Sequence, residues 1–260
     1  MNTSQIAVNL YSVKDHLCTV EQAEETLRKL SGIGFRAVQL CMLPGLCDVR
    51  SVGTICDRLN IQVCGVHCGA VLDDPLAALK LAEELRCDLI SFPYPEGRNL
   101  NDPGQILKLI AELQTAGKFL HRHGRILTYH NHHLELIRID GRIVLEQIFA
   151  GTDARVVQAE LDTYWIQYGG GDPVDWCHRL AGRLPQIHLK DYSVNPVNHV
   201  PESCALGCGN LNMSAVISAA EKSGCRWYIL EQEHYRSDPF DELAEGYRFL
   251  ESVAGHAVAT

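Results

Sequence analysis

The stretch Tyr129-His130-Asn131-His132-His133-Leu134-Glu135 gathers side chains able to do chemistry at the end of a short apolar run. On an extended strand His130 and His132 project to one side, because side chains alternate with period two. Two imidazoles on one face, with a carboxylate just beyond, can ligate a metal or move protons. Taken alone, the same stretch is also a polar loop whose histidines bond locally. Similar polar residues recur where other apolar runs end: Asn9, Tyr11, Gln39, Cys41, His67, Glu160, Asp162, His188, Lys190, Glu231 and Glu233. Several are spaced i, i+2, so both members of a pair can face one axis.

The elements that would bring these ends together follow from the alternation of patterns. Strand-type runs are predicted near residues 6–11, 36–40, 61–67, 88–92, 125–129, 155–161, 185–190 and 226–231. Helical periodicity separates them near residues 19–31, 48–59, 73–86, 103–123, 143–150, 172–181, 211–222 and 238–253. Thr19 with Gln22 forms a capping box, and Asp74-Pro75 and Asp172-Pro173 are helix starts. Strict alternation implies a parallel sheet, and eight such units in one chain predict an α/β fold, a single-domain (β/α)8 TIM barrel over residues 1–260. A doubly wound sheet is the alternative, but no G-x-G-x-x-G follows the first strand. In a barrel, chemistry sits at the C-terminal ends of the strands, where the polar residues above are found.

Composition narrows the function classes. The 260 residues carry a net charge of −9 with no basic run longer than two, which disfavours a nucleic-acid partner. No apolar run approaches the ~18–20 residues of a membrane span, and the N-terminus lacks a signal-peptide pattern, so no membrane and a cytoplasmic location are expected. The eleven cysteines include no C-x-x-C pair and are expected to be reduced core residues.

Carboxylates and imidazoles this dense are costly to bury unless paired or bound to an ion. Asp162, His188, Glu231 and a fifth-strand residue would form a mixed nitrogen and oxygen site, suited to Mn²⁺ or Mg²⁺, with Zn²⁺ or Co²⁺ also compatible. The metal-free alternative is a hydrogen-bonded polar ring that only binds substrate.

Tyr129-His130-Asn131-His132-His133-Leu134-Glu135 resembles the Y-H-N-H-x-x-E signature of the sugar phosphate isomerase/epimerase family, within the xylose-isomerase-like TIM barrels. Leu161-Asp162-Thr163-Tyr164-Trp165 with Gly171-Asp172-Pro173 is similar to its L-D-x-x-W…G-x-D-P motif. His188-Leu189-Lys190-Asp191 resembles its H-x-K-D, Gly207-Cys208-Gly209 its G-x-G loop, and Leu230-Glu231-Gln232 its closing glutamate. The resemblance implies metal ligands Asp162, His188 and Glu231. His130 stands where better-understood relatives carry a glutamate as fourth ligand.

The resemblance also implies isomerisation or epimerisation of a keto-sugar, sugar derivative or polyol through an enediolate. A base is then needed beside the C–H bond. Glu231 is the first choice for it; His130, His132 or Glu160 would act from the other face. Lys190 would polarise a carbonyl or bind an acidic group, or else form an ion pair with Asp191 or another carboxylate. Tyr11, Gln39, His67, Trp165 and Glu135 are expected around the substrate, with Glu135 orienting a histidine. Alternatives on the same scaffold are a lyase (inosose-type dehydration or 3-keto-glycoside β-elimination), an endonuclease IV-like repair enzyme and a non-catalytic sugar-binding barrel. A homo-oligomer is left open.

Overall fold

The first strand, β1 (Ile6–Asn9), stops where the Asn9 side chain accepts a hydrogen bond from the Tyr11 amide (2.7 Å) and starts a 3-10 run, Leu10–His16. It is one of eight parallel strands: β2 Ala37–Cys41, β3 Gln62–His67, β4 Leu89–Phe92, β5 Ile126–His130, β6 Val157–Asp162, β7 Gln186–Leu189 and β8 Trp227–Leu230. This is a computed structural model describing residues 1–42, 45 and 47–256. Each strand pairs with its sequence neighbours, and β1 pairs with β8 (Ile6 opposite Tyr228, Val8 opposite Leu230), closing the TIM barrel.

Around the barrel lie α1 Val20–Ile33, α2 Val49–Arg58, α3 Pro75–Glu84, α4 Pro103–Arg122 and α5 Val144–Ala150, then α6 Thr163–Tyr168, α7 Pro173–Arg179, α8 Met213–Lys222 and α9 Pro239–His256. The capping box of Thr19 and Gln22 starts α1, and Asp74, Asp102 and Asp172 each cap a helix whose first turn holds proline. The main core lies between helices and sheet, where Leu27, Leu30, Leu109, Leu120, Ile148 and Leu250 are fully covered by strand residues such as Val8, Val38 and Val157. Among the described residues no helix is long and apolar enough to cross a membrane.

The barrel interior differs in character from that shell. Its floor is a small separate apolar cluster of Ala7, Ala37, Cys64 and Ile229. Ala7, Ala37 and Ile229 each stand two residues before Asn9, Gln39 and Glu231, so alternation stacks a polar layer above them. Elsewhere in the interior, Gln186 donates to Ser91 Oγ (2.9 Å) and Thr128 Oγ1 (3.0 Å), which bond each other at 2.7 Å. Those three buried residues escaped the sequence reading, since nothing in their spacing separates an inward Ser or Thr from an outward one.

Three connections also differ from expectation. The segment after β6 forms α6 at once, because Asp162 Oδ1 accepts from the Trp165 amide (3.0 Å) and caps it. The stretch after β7, for which no strand or helix was predicted, contains a hairpin pairing Asp191–Val194 with Pro201–Cys204. A smaller hairpin pairs Arg138–Ile139 with Arg142–Ile143 ahead of α5.

Candidate active site

At the C-terminal rim the strands deliver their last inward residues to one place. His130 ends β5, Asp162 ends β6, His188 lies on β7, and Glu231 follows β8. His188 Nδ1 lies 3.2 Å from His130 Nε2, 3.0 Å from Glu231 Oε2 and 3.9 Å from Asp162 Oδ2, and His130 Nε2 is 3.7 Å from that same Asp162 oxygen. Possible ligand atoms of His130, Asp162 and His188 all fall within 4.8 Å of one another, and Glu231 joins them through His188.

Asp162 Oδ2 is buried and has no hydrogen-bond partner, while its sibling Oδ1 is taken by the α6 cap. An orphaned buried carboxylate oxygen is expensive unless a cation completes it. Around it, Glu160, Asp162, Glu231 and Glu233 face Lys190 and His188, and His188 would release its Nδ1 proton on ligating an ion. Nitrogen and oxygen donors with surplus negative charge fit a divalent cation of the Mg²⁺, Mn²⁺, Zn²⁺ or Co²⁺ type.

A second layer holds the first. His188 Nε2 contacts Gln39 Oε1 (2.7 Å) and Glu160 Oε1 (3.0 Å), which turns its Nδ1 toward His130 and Glu231. Glu160 also bonds His67 Nε2 (2.8 Å), and the His67 and His188 rings stack with 7° between their planes. Burial opposes charge on Glu160, but His67 and His188 hold it well below the usual carboxylate range. Burial likewise opposes charge on His188, yet Glu160 and Glu231 raise its pKa to about 10. Asn9 donates to Gln39 (2.8 Å), and Gln39 donates to Glu160, completing the layer.

Above it opens a cavity of about 840 Å³, lined by Tyr11, His67, His130, His132, Trp165 and Glu231 among others. Burial would raise the pKa of Glu231, but His188 and Lys190 lower it well below the carboxylate norm. Burial, reinforced by neighbouring His188, lowers His130 to about 3, and burial with His130 lowers His132 to about 2, so both are neutral at ordinary pH. Nδ1 of each is buried without a partner.

The expected site residues thus separate by depth. Tyr11, His67, His130, His132, Trp165 and Glu231 reach the cavity. Gln39 and Glu160, expected beside substrate, lie sealed beneath His67 and His188, because their strand positions fall one layer lower. Glu135, expected around the substrate in a role orienting a histidine, is fully buried behind β5. It accepts from Tyr129 OH (2.7 Å) and from the His132 amide (2.9 Å), fixing the histidine's backbone. Lys190 takes the ion-pair alternative: its Nζ lies 3.3 Å from Glu231 and bonds Glu233, under the rings of Trp165 (4.8 Å) and Tyr164 (5.1 Å).

Sequence reasoning missed Asn131, whose Oδ1 accepts from the Asp162 amide (3.0 Å), and Thr163, which ties β6 to the Lys190 backbone (2.7 Å). It also missed the cavity wall contributed by Phe92 at the end of β4 and by loops after β3 and β4, including Asp73, Tyr94, Glu96 and Arg98. Loop residues carry no periodicity that would have pointed inward.

Comparison with known proteins agrees with this architecture. The structure superposes on a sugar phosphate isomerase/epimerase from Parabacteroides distasonis with a TM-score of 0.79, at 18% identity over 96% of this chain and 93% of that one. A xylose isomerase-like TIM barrel protein from Mycobacterium smegmatis in complex with magnesium gives 0.74 at 16% identity, covering 99% of both chains. Among curated sequences, inosose dehydratase 2 of Bacillus cereus is 24% identical over 164 residues, 57% of this chain. The chain spans about half the length of the curated relatives it matches (54%). A family model described as xylose isomerase-like TIM barrel matches residues 27–253, and the chain belongs to that family.

Proposed function

We propose that this protein is a divalent-metal-dependent isomerase or epimerase acting on a keto-sugar, sugar derivative or polyol by moving a proton at the carbon beside a carbonyl. The observation that carries the reading is the convergence of His130, Asp162, His188 and Glu231 beneath the cavity, with Asp162 Oδ2 left unpartnered. These four residues would hold the ion, which when bound supplies Lewis-acid stabilisation of charge on the substrate's oxygens.

Glu231 is the base. It is ionised, it reaches the cavity, and Lys190 and His188 fix its two oxygens at 3.3 and 3.0 Å. A base must lie within hydrogen-bond reach of the proton it takes, and Glu231 is the carboxylate of the four-residue group that lines the cavity. His130 and His132, neutral imidazoles lining the cavity, are the other candidates for exchanging a proton with substrate. Burial together with Glu233 and Glu231 raises the Tyr11 pKa, which keeps its hydroxyl protonated as a donor to substrate. Trp165 offers an apolar face to a sugar ring. Eleven unpaired cysteines suit a reducing compartment, and a cytoplasmic location is part of this reading.

A second reading, dehydration, is favoured by the inosose dehydratases among the curated relatives. The same proton abstraction followed by loss of a β-hydroxyl would give it. Both readings are tested by incubating the Mn²⁺-loaded enzyme with neutral ketoses and inososes in deuterated water. Deuterium beside the carbonyl with an epimer or isomer as product is the expected result. Loss of water selects the second reading, and neither exchange nor product on any of them overturns both. Glu231→Gln should lower the exchange rate by roughly 10²–10⁴-fold.

A further inference from the structure

The loop Gly207-Cys208-Gly209 before α8 sits where barrels of this architecture commonly bind phosphate, in the loops after the seventh and eighth strands. Its amides are the donors such a group would use. They are already engaged. Gly207 N (3.0 Å) and Gly209 N (3.1 Å) both donate to Asp191 Oδ2, and Tyr192 N (2.8 Å) and Leu211 N (3.3 Å) donate to Oδ1. Gly207 has φ +90°, and a Cβ at Gly209 would run into the Asp191 carboxylate, so both glycines serve this closure. Asp191 is itself buried. A built-in carboxylate occupies the anion nest.

The cavity wall points the same way. Four carboxylates line it: Asp73, Glu96, Glu231 and Glu233. Among the described lining residues Arg98 is the one Lys or Arg, and it is committed to Glu112 (2.7 Å) and packed over the Phe92 ring. Leu43, Pro44 and Leu46, outside the described residues, add no charge. Lys190 is paired with Glu231 and Glu233. A phosphate ester entering here would meet the carboxylates of Asp73 and Glu96 with no free basic side chain on the described wall, whereas carboxylates and the neutral imidazoles of His130 and His132 suit hydroxyl groups.

We infer that the substrate is uncharged and polyhydroxylated, and that the site discriminates against phosphorylated sugars. This rests on the carbohydrate reading above and sharpens it. The test is calorimetric binding of matched pairs, ketohexoses and their phosphate esters, to the Mn²⁺-loaded protein, with inorganic phosphate as competitor. The expected result is binding of a neutral sugar, an ester at least ~10-fold weaker, and no competition by inorganic phosphate at millimolar concentration. Glu96→Lys, an exposed rim change, should narrow the preference by up to about fivefold. An ester that binds as tightly as its neutral partner, or phosphate that competes, overturns the inference. Neutral sugars that bind without proton exchange would instead remove the proposed reaction and leave the preference standing. If neither class binds, the carbohydrate reading and this inference fall together.

Discussion

Glu135 shows how one residue in the diagnostic histidine stretch acts at a distance from the chemistry. Burial raises its pKa to about 7, although Tyr129 and the His132 amide partly counter the shift. A carboxyl group raised in the folded state contributes stability that is present below its unfolded value of 4.5 and is lost as pH climbs through about 7. Urea unfolding should therefore show stability falling by about 3 kcal/mol between pH 4 and pH 8 relative to Glu135→Gln, which cannot titrate. An identical pH dependence in the two proteins would contradict it. The convergence of His130, Asp162, His188 and Glu231 was legible in sequence, because they stand at or near strand ends with i, i+2 polar companions. Their depth was not. Alternation reports which residues face the axis, whereas strand tilt and stagger decide that Glu160 and Gln39 lie beneath the histidines.

Single elements do double duty around this site. The carboxylate of Asp162 caps α6 through Oδ1 and leaves Oδ2 unpartnered beside His130 and His188, so the short helix and the site share one side chain. That helix was missed in sequence because a six-residue segment carries too little periodicity to register. The hairpin after β7 was missed for a related reason: its antiparallel register depends on four residue pairs whose side chains do not alternate cleanly. Its closure onto the Gly207 loop yields an element-level expectation. Gly209→Ala forces its Cβ into Asp191 and should cost about 1–3 kcal/mol in urea unfolding, as overpacking of a filled site does. Unchanged stability would mean that the loop and Asp191 are not locked together.

For the whole molecule, the eight alternating units sufficed to give the barrel, because short β-type runs separated by capped helices leave few other ways to bury both faces of a parallel sheet. The pattern placed Glu160, His188 and Lys190 toward the axis; what it did not reveal is that Gln186, Ser91 and Thr128 are also buried there in a hydrogen-bonded group. A conventional barrel fills that space with branched aliphatics, so this chain maintains stacked polar layers whose upper tier converges on one small volume. We propose that this volume is a cation site. Titration of metal-free protein with Mn²⁺ by calorimetry, wild type against Asp162→Ala, tests it most directly, with circular dichroism to verify that both are folded. The account expects saturable uptake of a single ion per chain in the wild type and affinity lower by roughly 100-fold or more in the variant. Equal affinity in the two folded proteins, or no uptake by the wild type, would contradict it.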